Sequence, residues 1–445
     1  MSPAPMKNLL VLHLESVCRQ RFAAFASSFP NTRRLLQEAR VFDHFHSSAT
    51  STLMVVTYLF HGNDFEFDAA TLFDGMRPTG NNRHLFSVLQ ERGWNVNLVC
   101  LDGFHATHPA ALSSWTGDLP PIWGTNQFPA LFARFDELTN APPFAIYVWD
   151  LITHVEHSLS LAPHAEGYTD QVRRACAVAD DAIGVFLSTL ERKGLLDQTT
   201  IVVYGDHGDD YWTHGFKGGM THATEPYTQI TRTPLAIRDP ALAAGVDLRL
   251  ASTIDLAPTC LELLGVEHAY TFSPSGASLL GTPADAVYSQ NFTANQADNR
   301  AFGIAKAYAA VDDTYTLLAS SRGLEFYAHQ LDPGNHCNLL HFFDLAAGGR
   351  LALRPWGATA RHFRAALLDN PRAIAHLLGR FASLRERLAA RIEAKRAFIV
   401  GRGANPVHAL DPRCLDVVAP GSGQDAFSPP GRRAPAPFEF SYRLR

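Results

Sequence analysis

Short apolar runs that stop abruptly on a carboxylate recur along the first part of the chain. NLLVLHL gives way to Glu15, PFAIYVW to Asp150, and TTIVVYG to Asp206. Runs of this length, apolar throughout and not alternating, read as strands buried on both faces. WNVNLVCLD and RTPLAIRDP add further strands, and VFDHFHSSATST reads as strand followed by loop. Between them lie segments of helical character: RRLLQEAR, TLMVVTYLFHG behind Ser and Thr residues suited to an N-terminus, and HLFSVLQERG closed by Gly93. TDQVRRACAVADDAIGVFLSTLERKG ends at Gly194, and STIDLAPTCLELLG follows. Strand alternating with helix predicts an α/β fold with a mostly parallel central sheet between two helical layers.

The texture changes past residue 300. AFGIAKAYAAVDDTYTLLASSRGLEFYAHQLDP reads as hairpins of a smaller antiparallel sheet, and residues 358–398, rich in Ala, Arg and Leu, as one or two amphipathic helices. The expected organisation is a catalytic α/β domain over 7–300, a small sheet over 301–345, a helical extension over 346–400 and a Pro/Gly-rich, extended or partly disordered tail over 401–445. No internal repeat is visible.

Composition narrows the function classes. Of 445 residues, 46% are apolar and 18% charged, enough for a large core, and the net charge of −5 argues against a protein that coats nucleic acid. Six scattered cysteines without a C-x-x-C pair argue for free thiols in a reducing compartment. The apolar run at Leu9–Leu14 is too short for a signal peptide, and no stretch approaches the ~18 to 20 residues of a membrane span. The expectation is therefore a soluble, cytoplasmic protein. Twenty histidines permit a metal site.

In parallel α/β sheets ligands bind beyond the carboxyl ends of the strands, where Glu15, Asp150 and Asp206 all fall. Asp206-His207-Gly208 offers a carboxylate and an imidazole in one turn, a pair suited to zinc or manganese. Thr50, Ser51 and Thr52 crowd a helix N-terminus, where unpaired N–H groups and the positive dipole end favour a phosphate oxygen. Asp150 and His154 stand four apart, and His222 precedes a later strand. Each feature alone also has an ordinary reading: a solvated loop, a strand-end acid, an N-cap, a surface imidazole. The pattern alone does not choose among the three hydroxyls.

The ordered set is more specific. Glu15, then Thr52 ten residues before Gly62, then Asp150-x-x-x-His154, then Asp206-His207-Gly208, then His222 closely resembles the alkaline phosphatase superfamily, and within it the sulfatase-like hydrolases and transferases. The likeness runs on through LLDQTTIVVYGDHGDDYWTHG, EPYTQITRTPLAIRDP, HLFSVLQERGWNVNLV and GLEFYAHQLDPGNHCNLL, so that it covers roughly residues 7–345. It implies that Glu15, Asp206 and His207, with the Thr52 oxygen, hold one divalent ion, zinc or manganese. Asp150, His154 and His222 would hold a second ion or contact the phosphoryl and leaving groups. Lys217 and His214 sit where the family places anion-binding groups. Thr52 is the implied nucleophile, by way of a phospho-threonine, on a small-molecule or glycan phosphate ester.

The chain departs from type I sulfatases at one telling place. Their C/S-x-P-x-R signature, whose first residue becomes formylglycine, is replaced by Thr52-Leu53-Met54-Val55-Val56, without Cys, Pro or Arg. Thr at that place is similar instead to nucleotide pyrophosphatase/phosphodiesterases, lipoteichoic acid synthases and phosphoethanolamine transferases. Glu15 leans toward the last two, and the Asp150/His154 spacing toward the phosphodiesterases. A phosphodiesterase or phosphomonoesterase is therefore expected, with a soluble phosphoethanolamine- or phosphoglycerol-type transferase or a sulfatase-like ester hydrolase as the alternative. A non-catalytic relative that binds an anionic ligand is the third class.

Overall fold

The first strand, β1 (Asn8–Leu14), is buried at every position. Its even and odd side chains feed two different cores: Leu9 and Val11 join one, Leu10, Leu12 and Leu14 the other. A strand clothed on both faces has no polar side to show, which is why its sequence does not alternate. The computed structural model describes residues 6–64, 83–101, 119, 123–124, 128–154, 168–211, 213–214, 222–267, 276–291, 306–346, 348–354, 364–401 and 410–419.

Around β1 the chain lays down β2 (Arg40–His46), β3 (Asn95–Leu101), β4 (Trp123–Gly124), β5 (Phe144–Asp150), β6 (Thr199–Gly205), β7 (Leu235–Arg238) and β8 (Gly245–Ser252). They form one eight-stranded sheet in the order β4-β3-β5-β1-β6-β7-β2-β8. Neighbours pair in parallel except for β7, which runs antiparallel to both β6 and β2. The sheet is thus mixed, and the RTPLAI segment is its reversed strand. The exposed half of β8, with Val246 and Leu248 in solvent, has no buried apolar run and was not foreseen.

Three helices cover one face: α3 (Thr52–His61), α4 (Leu85–Glu91) and α7 (Leu256–Leu263). The other face is covered by α2 (Pro30–Gln37), which follows the short α1 (Arg19–Ala24), together with α5 (Phe128–Leu138) and α6 (Tyr168–Arg192). This is the alkaline-phosphatase-like layered α/β arrangement. Register fixes the important consequence. Leu14 stands opposite Asp150 on β5 and Gly205 on β6, so the residues that follow these strands, Glu15 and Asp206 among them, emerge side by side at one end of the sheet.

A second sheet, order β12-β11-β10-β9, is antiparallel and built from β9 (Val287–Gln290), β10 (Ala307–Val311), β11 (Tyr315–Ser320) and β12 (Gly323–Ala328). One long helix, α8 (Pro371–Gly401), lays Leu377, Phe381, Leu384, Leu388 and Ile392 against it, a stripe at helical spacing. The hairpin of β13 (Phe343–Ala346) and β14 (Arg350–Leu353) and a 3-10 turn at Pro412–Asp416 complete this layer. Val418, within the segment read as tail, bridges to Leu324 of β12. Gln290 of β9 exchanges backbone hydrogen bonds with the loop ahead of α3, accepting from Thr50 N–H (3.1 Å) and donating to the Ser48 carbonyl (3.1 Å). The small sheet therefore braces the segment that presents Thr52. All six cysteines are buried, and none is in a disulfide. Among the described residues no helix is long and apolar enough to cross a membrane.

Three imidazoles meet where β2 approaches the small sheet. His44 and His46 come from β2, and His329 follows β12 with its ring 6.5 Å from that of His44. Neither ring nitrogen of His46 has a hydrogen-bond partner. Burial, with the neighbouring His329, Arg232 and His44, holds the His46 pKa well below its ordinary 6.5. Burial takes His329 to about 4 and also lowers His44, against the raising influence of Asp43 and Asp313. A histidine depressed on folding binds fewer protons folded than unfolded, so stability is lost as pH falls. The melting temperature is expected to drop as pH is lowered from 6.5 toward 4, and His46→Phe to flatten that slope. An unchanged slope in a folded His46→Phe protein would assign the acid sensitivity elsewhere.

Candidate active site

Tight backbone packing sets the floor of the site. A Cβ on Gly205 would lie 2.3 Å from the Val17 carbonyl, and one on Gly208 would lie 2.6 Å from both Cys18 Cβ and the Gln229 carbonyl. Only glycine lets the Asp206-His207 turn sit this close to the turn after β1. That second turn is itself constrained: Ser16 has φ +56°, an uncommon conformation for a residue with a side chain. From this turn the Ser16 N–H donates to Asp206 Oδ1, 2.9 Å away.

Glu15, fully buried, is held from three sides. Trp149 Nε1 donates to its Oε2 (2.8 Å), Thr153 Oγ1 to its carbonyl (2.5 Å), and Thr52 Oγ1 to its Oε1 (2.8 Å). Thr52 Oγ1 also lies 2.9 Å from His207 Nε2. His207 Nε2 is 3.1 Å from Asp206 Oδ2 and 3.6 Å from Glu15 Oε1. Four donor atoms about one ion at the ~2.0 to 2.1 Å of zinc stand roughly 3.3 Å apart in a tetrahedron. The observed 2.8 to 3.6 Å spacings fit that arrangement. Asp206 Oδ2 is a buried anionic oxygen with no hydrogen-bond partner, which a cation would satisfy. Burial and the Asp206 charge push the Glu15 carboxyl well above its usual range. Asp206 is buried too, but the neighbouring His207 and His13 overcome that and hold it low. Burial lowers His207 to about 4, leaving a neutral imidazole fit for ligation.

Helix α3 begins at Thr52, with Ser51 in the N-cap position and no side-chain capping bond, and ends on Gly62 in the left-handed conformation at φ 59°. The three hydroxyls separate clearly. Thr50 Oγ1 donates to the Thr224 carbonyl (3.0 Å), Ser51 Oγ has no partner, and Thr52 Oγ1 alone bonds to the acid cluster. The capping role considered for Thr50 is not what its side chain does.

Beside this cluster stands a second, formed by His207, Asp209 and His222, whose potential ligand atoms lie within 4.8 Å of one another. The His222 ring is 4.1 Å from that of His207 and 5.3 Å from that of half-buried His154. His222 Nδ1 meets Asp209 Oδ1 at 3.0 Å. Asp209 is anchored by Arg21 Nη2 (3.3 Å) and Tyr211 OH (2.9 Å), while Arg21 Nη1 donates to the Ser16 carbonyl (2.7 Å). Burial would raise the Asp209 pKa, but His222 and Arg21 outweigh it and keep the group low.

The sequence-derived set is therefore brought together in part. Glu15, Thr52, Asp206 and His207 converge, and His154 and His222 face one another beside them. Among the described residues Asp150 belongs to neither potential metal group; its Oδ1 accepts from Ile152 N–H (3.0 Å) in its own turn, and Asp209 supplies the carboxylate beside His222 instead. His214 makes contacts within the fold. It stacks on Tyr227 at 3.6 Å and 3°, contacts Asp210 through Nδ1, and places Nε2 3.1 Å from the Asn335 carbonyl, tying the loop to the small-sheet layer. Lys217 lies outside the described residues. His13, Arg21 and Asp209 were missed. Asp209 was visible in the DHGDD run, and His13 stands two residues before Glu15, hence on the same face of an extended chain.

Residues 7–266 match the sulfatase family. Lipoteichoic acid synthase of Staphylococcus aureus is 28% identical over 146 residues, a stretch that covers 31% of this chain and 21% of that protein, so the chain spans only a small part of this relative. Solved structures that share the fold include the following two. A 2-O GAG sulfatase aligns with TM-score 0.59 at 16% identity over 95% of this chain and 99% of its own. The phosphonate monoester hydrolase of Agrobacterium radiobacter aligns with TM-score 0.55 at 16% identity over 78% and 99%.

Proposed function

The chain belongs to the sulfatase family, and within that family we propose that it is a metal-dependent phosphoric ester hydrolase with Thr52 as nucleophile. One observation carries this reading: Thr52 Oγ1, at the first turn of α3, is the hydroxyl bonded to both Glu15 (2.8 Å) and His207 (2.9 Å), with Asp206 alongside. Glu15, Asp206 and His207 would hold a divalent ion, whose chemistry when bound is to acidify the hydroxyl and draw charge from phosphoryl oxygens.

The chain's own groups do the rest. The N-terminal N–H groups of α3 face an anion arriving at Thr52. The Thr52 hydroxyl gives its proton to solvent, from which it is regained on release, as its oxygen attacks phosphorus in line; the bond to the leaving oxygen breaks, and that oxygen takes a proton from His222 or His154 at the rim. Asp209, fixed by Arg21, holds the His222 ring through Nδ1. Water then attacks the phospho-threonine, gives its proton to the same imidazole and releases Thr52. The transferase alternative differs only in this last step, with an acceptor hydroxyl in place of water. The stretch similar to lipoteichoic acid synthase supports it, and turnover products formed with and without glycerol separate the two.

Position 52 offers no Cys or Ser for conversion to formylglycine. Aryl phosphate esters are therefore expected to turn over at least about 100-fold faster than aryl sulfates, a difference of roughly 2.7 kcal/mol in barrier. Purified protein that prefers the sulfate would overturn the assignment.

A further inference from the structure

We infer that His13 is an additional ligand of the metal held by Glu15, Asp206 and His207, and that the resulting pair of imidazoles selects zinc over manganese or magnesium. This rests on the metal reading above and concerns the composition of the same site.

His13 is 1% exposed and sits at the end of β1 on the face that carries Val11 and Glu15. Its ring is immobilised. It stacks on Trp149 (5.7 Å, 5°) and Tyr204 (5.0 Å, 26°), and Nδ1 lies 2.6 Å from Tyr147 OH, which in turn is 3.1 Å from Tyr204 OH. A histidine ligand is ordinarily fixed in this way, through the ring nitrogen that does not face the ion. The other nitrogen points into the carboxylates: Nε2 is 3.3 Å from Asp206 Oδ2 and 3.6 Å from Glu15 Oε2. Among the described residues neither Nε2 nor Asp206 Oδ2 has a hydrogen-bond partner of ordinary geometry. These separations are long for N–H···O bonds but fall within the roughly 2.9 to 3.6 Å between neighbouring donors of one five-coordinate ion at zinc distances. His13, Glu15 and Asp206 also form one of the two described groups whose ligand atoms lie within 4.8 Å of each other. The ordinary alternative is a buried imidazole that donates weakly to Asp206 from behind, outside the coordination sphere. Two imidazoles beside two carboxylates suit a borderline ion such as zinc, whereas magnesium and manganese favour oxygen.

X-ray absorption at the zinc edge counts imidazoles directly. Protein stripped by chelator, carrying His222→Ala to weaken the neighbouring cluster, receives one equivalent of zinc. Two imidazoles are expected, and one would overturn the proposal. In parallel, His13→Phe, which keeps a ring in the stack, is titrated with zinc and with manganese. Zinc affinity is expected to fall at least about 10-fold and the zinc-to-manganese preference to shrink with it. A folded His13→Phe protein with unchanged affinity and preference would also overturn the proposal. If that variant does not fold, the absorption measurement decides alone. Wild-type protein that binds neither metal would instead sink the metal reading of the whole site, whereas zinc bound through a single imidazole removes only His13.

Discussion

Thr52→Ala is expected to lower kcat for an aryl phosphodiester by several orders of magnitude, roughly 10³-fold or more, in a protein that still folds. The size follows from what remains: binding and electrostatic terms survive, and the atom that attacks phosphorus does not. The fold should tolerate the change because Thr52 caps nothing. Ser51 occupies the N-cap position, and among the described residues Thr52 Oγ1 bonds to Glu15 and His207. Ser51→Ala should leave kcat within about threefold, since Ser51 Oγ has no partner to lose. Thr50→Ala removes a buried bond to the Thr224 carbonyl and should cost about 1 kcal/mol of stability, with turnover retained. Steady-state kinetics and thermal melts on the three variants check this. Full activity in Thr52→Ala would reject the nucleophile.

The second large effect concerns Asp206. Asp206→Asn keeps an oxygen for the Ser16 N–H but removes an anionic ligand, and should weaken metal binding on the order of 100-fold or more, since loss of an outer partner alone costs 10- to 100-fold. Its stability should respond in an unusual way. Two carboxylates buried together oppose each other, and part of what raises Glu15 is Asp206. Without metal, relief of that repulsion is set against loss of the His207 and His13 contacts that hold Asp206 low, so the response to chelator is the quantity to read. Metal at 100 times its Kd stabilises the wild type by about 2.7 kcal/mol, so chelator should lower the wild-type Tm and leave that of Asp206→Asn unmoved. Equal chelator sensitivity in both proteins would place the ion elsewhere.

Much of this site could be read from the chain because its parts are local. Each acid directly follows a strand whose apolar run is unmistakable, and parallel register carries Glu15 and Asp206 to the same edge without any further information. What escaped depended on contacts between distant segments. Arg21 looks like any basic residue of a surface helix until α1 folds over the turn at Asp209, 188 positions away. His13 looks like an interruption of an apolar strand until Tyr147, Trp149 and Tyr204 enclose it. Asp150 has the same strand-end signature as its neighbours, and its Oδ1 accepts from Ile152 N–H, a contact within its own turn. The antiparallel β7 was likewise invisible, because direction of pairing leaves no mark on a four-residue buried run. The stacking of His214 on Tyr227 was also not legible, because it joins two loops that meet only in the fold.

The most direct test of the whole account is to stop the wild-type enzyme in acid during turnover of an aryl phosphate ester and map the covalent product by mass spectrometry. Phosphate is expected on Thr52 in the peptide that contains Thr50, Ser51 and Thr52, and it should be absent when substrate is omitted. Phosphate on Thr50 or Ser51, or turnover with no modified peptide together with an active Thr52→Ala protein, would contradict it.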